Sequence, residues 1–165
     1  MDWFNRAFVS VTVVAILAMS STASAQRYTQ APAVSACQKS GTTGTATFAY
    51  EELYNSSTTE NMYIDCGDSS SWETVGSYVL EASIWLFDES PTQNTSCWMR
   101  VIDSLGLTWY TGATKSTTGS STSIQLLSWD PVGQYGNASF GCNIPKQTSG
   151  GAASGVGSIT VRHNF

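Results

Sequence analysis

Tyr78-Val-Leu-Glu-Ala-Ser-Ile-Trp-Leu-Phe-Asp88 is the stretch that decides the fold. Leu80, Ala82, Ile84 and Leu86 recur at every second position, and Val79, Glu81, Ser83, Trp85 and Phe87 make up the alternate, mixed face. A period of two belongs to a pleated strand whose faces meet different surroundings. A helix needs a period of 3.6, which Leu80, Ile84 and Phe87 partly satisfy; the flanking Gly76 and Pro91 and the β-branched and aromatic content favour the strand.

The same alternation recurs on both sides. After Asp88 the sequence to Thr95 reads as a turn with Pro91 and Asn94, returning into a strand over Ser96 to Asp103. There Cys97, Met99 and Val101 face one way and Trp98, Arg100 and Ile102 the other. Upstream, Ala46, Phe48 and Tyr50 share a face, as do Met62, Ile64 and Cys66, with Asn55-Ser56-Ser57 as the turn between the two runs. Downstream, Leu107 to Thr111 is a short strand and Gly112 to Thr122 a hydroxyl-rich loop, expected to be mobile, whose one charge is Lys115. Ile124 to Trp129, Ala138 to Ile144 and Gly157 to His163 complete the set, the last two separated by a Gly-rich loop. About eight strands with hardly a helix predict an all-β fold, a two-sheet antiparallel sandwich of Ig-like or jelly-roll-like type. It occupies residues 37–165 as one domain, and residues 26–36, which lack periodicity, are expected to form a flexible leader.

The N-terminus reads as an address. Met1 to Arg6 is short and polar, Ala7 to Met19 almost wholly apolar, and Ala23-Ser24-Ala25 offers the small residues a signal peptidase reads. The apolar run falls short of the roughly 20 residues a spanning helix needs. Residues 1–25 are therefore expected to be a cleaved signal peptide, and the mature protein to be secreted or periplasmic, without a membrane span. All four cysteines, Cys37, Cys66, Cys97 and Cys142, lie beyond it, and an even count in an oxidising compartment favours two disulfides. Three pairings are possible; Cys37 with Cys66 and Cys97 with Cys142 is preferred, because Cys37 precedes the first strand and leaves two core-phase strand cysteines to pair. A zinc site is disfavoured, since no two of the four are near neighbours.

Charge narrows the partners. The chain carries a net charge of −5, and removing residues 1–25 takes away one acid and one base, so the balance is unchanged. Its lysines and arginines are scattered singly, which disfavours nucleic acid and anionic membranes.

The order of motifs resembles a family of uncharacterised small secreted proteobacterial β-sandwich proteins with four cysteines. The resemblance runs from Cys37 through Asn55-Ser56-Ser57, Cys66, Leu86-Phe87-Asp88, Thr95-Ser96-Cys97, Gln125-Leu126-Leu127 and Phe140-Gly141-Cys142-Asn143-Ile144-Pro145 to Gly155-Val156-Gly157-Ser158-Ile159. Many such proteins carry Pro just after the second cysteine, where this chain has Gly67. The resemblance implies a small export-dependent sandwich and implies no activity.

No catalytic motif emerges. The lone histidine, His163, has no nucleophile motif to serve and is expected at an exposed strand end. Carboxylates can work without histidine, and Glu81 with Asp103, or Asp88 with Glu89, are the pairs to weigh for glycoside hydrolysis. Asp65, Asp68 and Glu73, and Asp88, Glu89 and Asp103, are acidic groups on loops, but neither has calcium-loop spacing, so no metal or other cofactor is expected. Asn55, Asn94 and Asn137 head glycosylation sequons of a kind that arise easily in a Ser/Thr-rich chain. Tryptophan is the remaining signal: Trp72, Trp85, Trp98, Trp109 and Trp129 are five in a small chain, some of them necessarily core, and burial is the alternative to weigh for Trp85 and Trp98 as well. Trp85 and Trp98 fall opposite the apolar faces of their strands, and if those strands form a hairpin they make an exposed strip on which a sugar ring can stack. The expectation is a non-enzymatic binding or envelope-associated sandwich that takes a glycan or an envelope protein, with Trp85 and Trp98 as ligand-binding candidates; the rivals are a small carboxylate hydrolase and a purely structural envelope protein.

Overall fold

A computed structural model describes residues 26–67, 78–103, 107–119 and 121–164. The expected signal peptide, and with it Asp68, Trp72 and Glu73, lie outside the described residues. The rest is a two-sheet antiparallel sandwich, as the alternation predicts.

Chain order gives β1 (Gln26–Pro32), the four-residue turn α1 (Ala33–Ala36), β2 (Cys37–Ser40), β3 (Ala46–Ala49), β4 (Glu52–Asn55) and β5 (Met62–Gly67). Then follow β6 (Tyr78–Asp88), β7 (Ser96–Ile102), β8 (Thr108–Thr111), β9 (Lys115–Ser116), β10 (Ser121–Trp129), β11 (Gln134–Tyr135), β12 (Asn137–Ile144) and β13 (Gly155–Asn164). One sheet runs β10-β6-β13-β4-β3, with β1 beside β13 and β11 beside β6; the other runs β2-β5-β12-β7-β8, with β9 beside β7. We call them the β6 sheet and the β12 sheet.

Each sheet turns one face to the core. Ile84 and Leu86 from β6 and Ile159 and Val161 from β13 meet Met99, Val101, Phe140 and Ile144 from the β12 sheet, all essentially inaccessible to water. Each such side chain contributes about 1.5–3 kcal/mol by leaving water. Trp129 joins the layers: its ring packs against Phe140 at 5.7 Å, and its indole N–H donates to the Ala113 carbonyl at 2.8 Å, so its polar end is paired although the residue is only 3% exposed.

Both disulfides lie within the β12 sheet, in the expected pairing. Cys37 stands opposite Cys66 across β2 and β5, and Cys97 opposite Cys142 across β7 and β12. Such bonds form and persist in an oxidising environment.

Five expectations change. The leader is ordered at its start: Gln26–Pro32 pairs with β13 along its whole length, so its lack of periodicity reflects an edge strand rather than a loose chain. The turn expected at Asn55-Ser56-Ser57 instead follows a hairpin, β3 to β4, that reverses at Tyr50 and Glu51. In β6 the phase reverses near Tyr78. There β13 advances one residue, Arg162 to His163, while β6 moves two, Glu81 to Val79, so a bulge turns Val79 into the core and leaves Leu80 half-buried. His163 is 1% exposed, not a solvent-facing strand end, because it shares the inward phase of Ile159 and Val161 and β1 extends the sheet beside it. The hydroxyl-rich loop is anchored as well: Lys115–Ser116 pairs with β7, and Thr117 is buried.

Candidate functional site

Phe87 and Tyr54 form the floor of an open groove of about 420 Å³ on the outer surface of the β6 sheet. Their rings lie 6.0 Å apart at 35°. Two glycines let them lie down on the strand between. A Cβ at Gly155 would come within 2.7 Å of the Tyr54 ring, and one at Gly157 within 3.1 Å of the Phe87 ring. Gly inside a strand often marks such close approach. Tyr50 stands at the rim on the β3–β4 turn, Glu89 adds a carboxylate, and Ala152 and Ala153 close the far side.

The groove is framed by two buried polar side chains. Asp88, next to Phe87, turns inward and accepts from the backbone N–H of Ser90 and of Thr95 (both 3.2 Å), from the Ser154 hydroxyl (3.3 Å) and from the Thr117 hydroxyl. A fully buried carboxylate is tolerable only with partners of this kind. Ser154 in turn accepts from the Glu89 N–H at 3.0 Å, which ties the Glu89 backbone to the loop that carries Ala152 and Ala153. Asn55 does the same at the other end. Its side-chain oxygen accepts from the N–H groups of Thr45 and Ser57, and its amide nitrogen donates to the carbonyls of Glu60, Ile144 and Pro145. Asn55 is 0% exposed, so its sequon presents no accessible amide.

The tryptophan candidates part company here. Trp85 and Trp98 do face outward from their strands, as the alternation predicts, but their strands form no hairpin: β6 pairs with β10 and β13, whereas β7 pairs with β12 and β8. Asp88 to Thr95 carries the chain from one sheet to the other, because β6 is already paired on both edges. Trp85, 36% exposed, therefore lies two positions from Phe87 on the groove face, beside the exposed Leu126 of β10. Trp98 lies half-buried on the opposite side of the sandwich. Its cross-strand partner is Gly141, where a Cβ would fall 2.3 Å from the indole, so the ring covers bare backbone of β12.

The carboxylate pairs also separate. Glu81 sits on the outer face of the β6 sheet, 3.4 Å from the Arg162 guanidinium, while Asp103 follows β7 in the other sheet and accepts from the Leu107 N–H at 2.8 Å. Asp88 and Glu89, adjacent in sequence, point to opposite sides, one into the core and one into the groove. Asp103, at the far end of β7 from the Asp88 turn, does not join them. Among the described residues no group of three His, Cys, Asp or Glu side chains converges as a metal site would need, and of the Asp65 group only Asp65 is described.

No family model matches the sequence, and no curated protein matches it. Solved structures similar in fold include two of note. One is the enzymatically active domain of tailspike protein 4 of bacteriophage CBA120, at 13% identity and a TM-score of 0.42, covering 84% of this chain and 19% of that one. The other is a low-affinity xylan-binding module, CBM86, from the gut symbiont Roseburia intestinalis, at 13% identity and a TM-score of 0.47, covering 83% of this chain and 94% of that one. The chain thus spans a minor part of the tailspike structure and nearly all of the xylan-binding module, and both likenesses concern fold alone.

Tyr54 escapes a reading that looks for alternation, since it continues no apolar face, and Tyr50, in phase with Ala46 and Phe48, lies on the turn rather than in the strand. The signal that reveals the groove is Gly155-Val156-Gly157: two glycines on alternate positions of a strand leave room for aromatic rings from the neighbouring strands.

Proposed function

We propose that this protein is a non-enzymatic, exported glycan-binding β-sandwich whose ligand lies in the groove floored by Tyr54 and Phe87 and flanked by Trp85. The observation that carries the reading is the groove itself: open, floored by two rings set close against a glycine-bearing strand, and rimmed by an exposed Tyr50. A pyranose presents C–H groups on its faces and hydroxyls round its edge, and flat rings bordered by hydroxyl and amide side chains complement both. Thr47, Ser56 and Gln147 supply that border. The floor is held in advance by the Asn55 and Asp88 networks, which lowers the ordering cost of binding. Among the described residues a single carboxylate, Glu89, lines the groove, so they do not pair there the acid and base that glycoside hydrolysis requires.

Titration of the purified protein with neutral oligosaccharides, followed by calorimetry and by chemical shifts, tests this reading. Tyr54→Ala and Phe87→Ala are expected to weaken binding about tenfold or more, as loss of a central aromatic anchor does. Trp98→Ala, on the other sheet, is expected to leave it unchanged. Shifts that map to the Trp98 face, or equal losses from all three variants, would reject the groove.

A further inference from the structure

We propose that the groove selects glycans whose units carry a free amino group and turns away acidic ones; this rests on the glycan reading of the same groove. Glu89 is the only carboxylate among the described residues that line it, and no described Lys, Arg or His joins it. Among the described residues no ion pair occupies Glu89; the ion pairs seen there involve Arg162, away from the groove on β13. Among the described residues the carboxylate therefore has no counter-ion, and it lines the same groove as three aromatic rings, those of Tyr50, Tyr54 and Phe87. Aromatic faces attract ammonium groups through the ring quadrupole, and a nearby carboxylate adds Coulomb attraction in the same place. The Glu89 backbone N–H donates to the Ser154 hydroxyl, which itself donates to Asp88, so the residue that carries this charge is anchored through its backbone. The surrounding chain, at net charge −5, reinforces the sign. A uronate or sulfated sugar meets a like charge, a neutral sugar meets no bias, and a glucosamine unit meets both attractions.

The test compares three probes of matched length: glucosamine oligomers, N-acetylglucosamine oligomers and galacturonate oligomers. Calorimetry is run at a pH where the amines are protonated, at low and at high ionic strength. On the full protein, the amine-bearing oligomer is expected to bind on the order of threefold to tenfold more tightly than its acetylated counterpart at low salt. That advantage should fade at high salt, because the groove is open and its charges are screened. Glu89→Gln is expected to bring the amine-bearing and acetylated oligomers to equal affinity, and to raise affinity for galacturonate relative to both. Equal binding of all three probes by the unaltered protein, or an amine preference that survives Glu89→Gln, overturns the charge selection and leaves the glycan reading standing. Binding of none of them overturns both.

Discussion

Tyr50 adopts the left-handed backbone conformation (φ 59°) with its side chain 99% exposed. A residue with a Cβ is strained there by about 1–2 kcal/mol, a cost that Asn largely avoids. Nothing packs on the ring to offset it, so the residue is better matched to the groove than to the fold. Tyr50→Asn is expected to raise stability by up to about 1 kcal/mol in denaturant melts while weakening oligosaccharide binding, and a stability loss with unchanged affinity would contradict that assignment. The tryptophans separate on the same test of surroundings. Trp129→Ala opens a cavity between the sheets and leaves the Ala113 carbonyl without its donor, so a loss of about 3–5 kcal/mol is expected. Trp85→Ala, on the exposed face, should cost no more than about 1 kcal/mol and act mainly on binding. Trp98 covers Gly141, where even an added methyl collides with the indole, so Gly141→Ala is expected to lower the melting temperature more than Trp85→Ala does.

The turn from β6 to β7 shows how much of an element depends on one side chain. Asp88 ends β6 and holds the backbone of Ser90 and Thr95, the Thr117 hydroxyl from the segment after β9 and the Ser154 hydroxyl from the loop before β13. Asp88→Ala leaves two buried N–H groups and two hydroxyls without that acceptor, and is expected to cost on the order of 3 kcal/mol or more by thermal or chemical melt. Asp88→Asn keeps part of the acceptor capacity and should cost less. If the alanine variant melts like the unaltered protein, the turn is held by something else. This network was not legible as such: Asp88 reads as a turn acid, and its four donors come from positions up to 66 residues away from it. The long strands were legible because each carries enough alternate apolar positions to declare its period. β1, β2, β4, β9 and β11 were not, since they carry no run of alternate apolar positions and owe their place to pairing with a neighbour.

Across the whole molecule, both disulfides staple neighbouring strands of one sheet, closing loops with sequence separations of 29 and 45 residues. Restriction of the unfolded chain by loops of that size is worth about 3–4 kcal/mol each. Reduction is therefore expected to lower the melting temperature sharply, and alkylation of the untreated folded protein to add no mass; a label on any of Cys37, Cys66, Cys97 or Cys142 would refute the two-bridge structure. What the sequence alone determined is the class of fold. Alternation along Tyr78 to Asp88 and Ser96 to Ile102 dictates strands, and Met99, Val101, Phe140 and Ile144 declare a core face, because a pleat sends every second side chain to one side whatever the strand pairs with. Partnership is different: it depends on which edges are free once all strands are placed, and no local pattern records that. Strand pairing in the folded chain puts β6 and β7 in separate sheets, which sends Trp85 and Trp98 to opposite sides, and brings Tyr54 and Phe87 together across the glycines of β13. Backbone hydrogen bonds between strands carry no side-chain signature, so a site assembled across three strands takes shape only when the sheet closes.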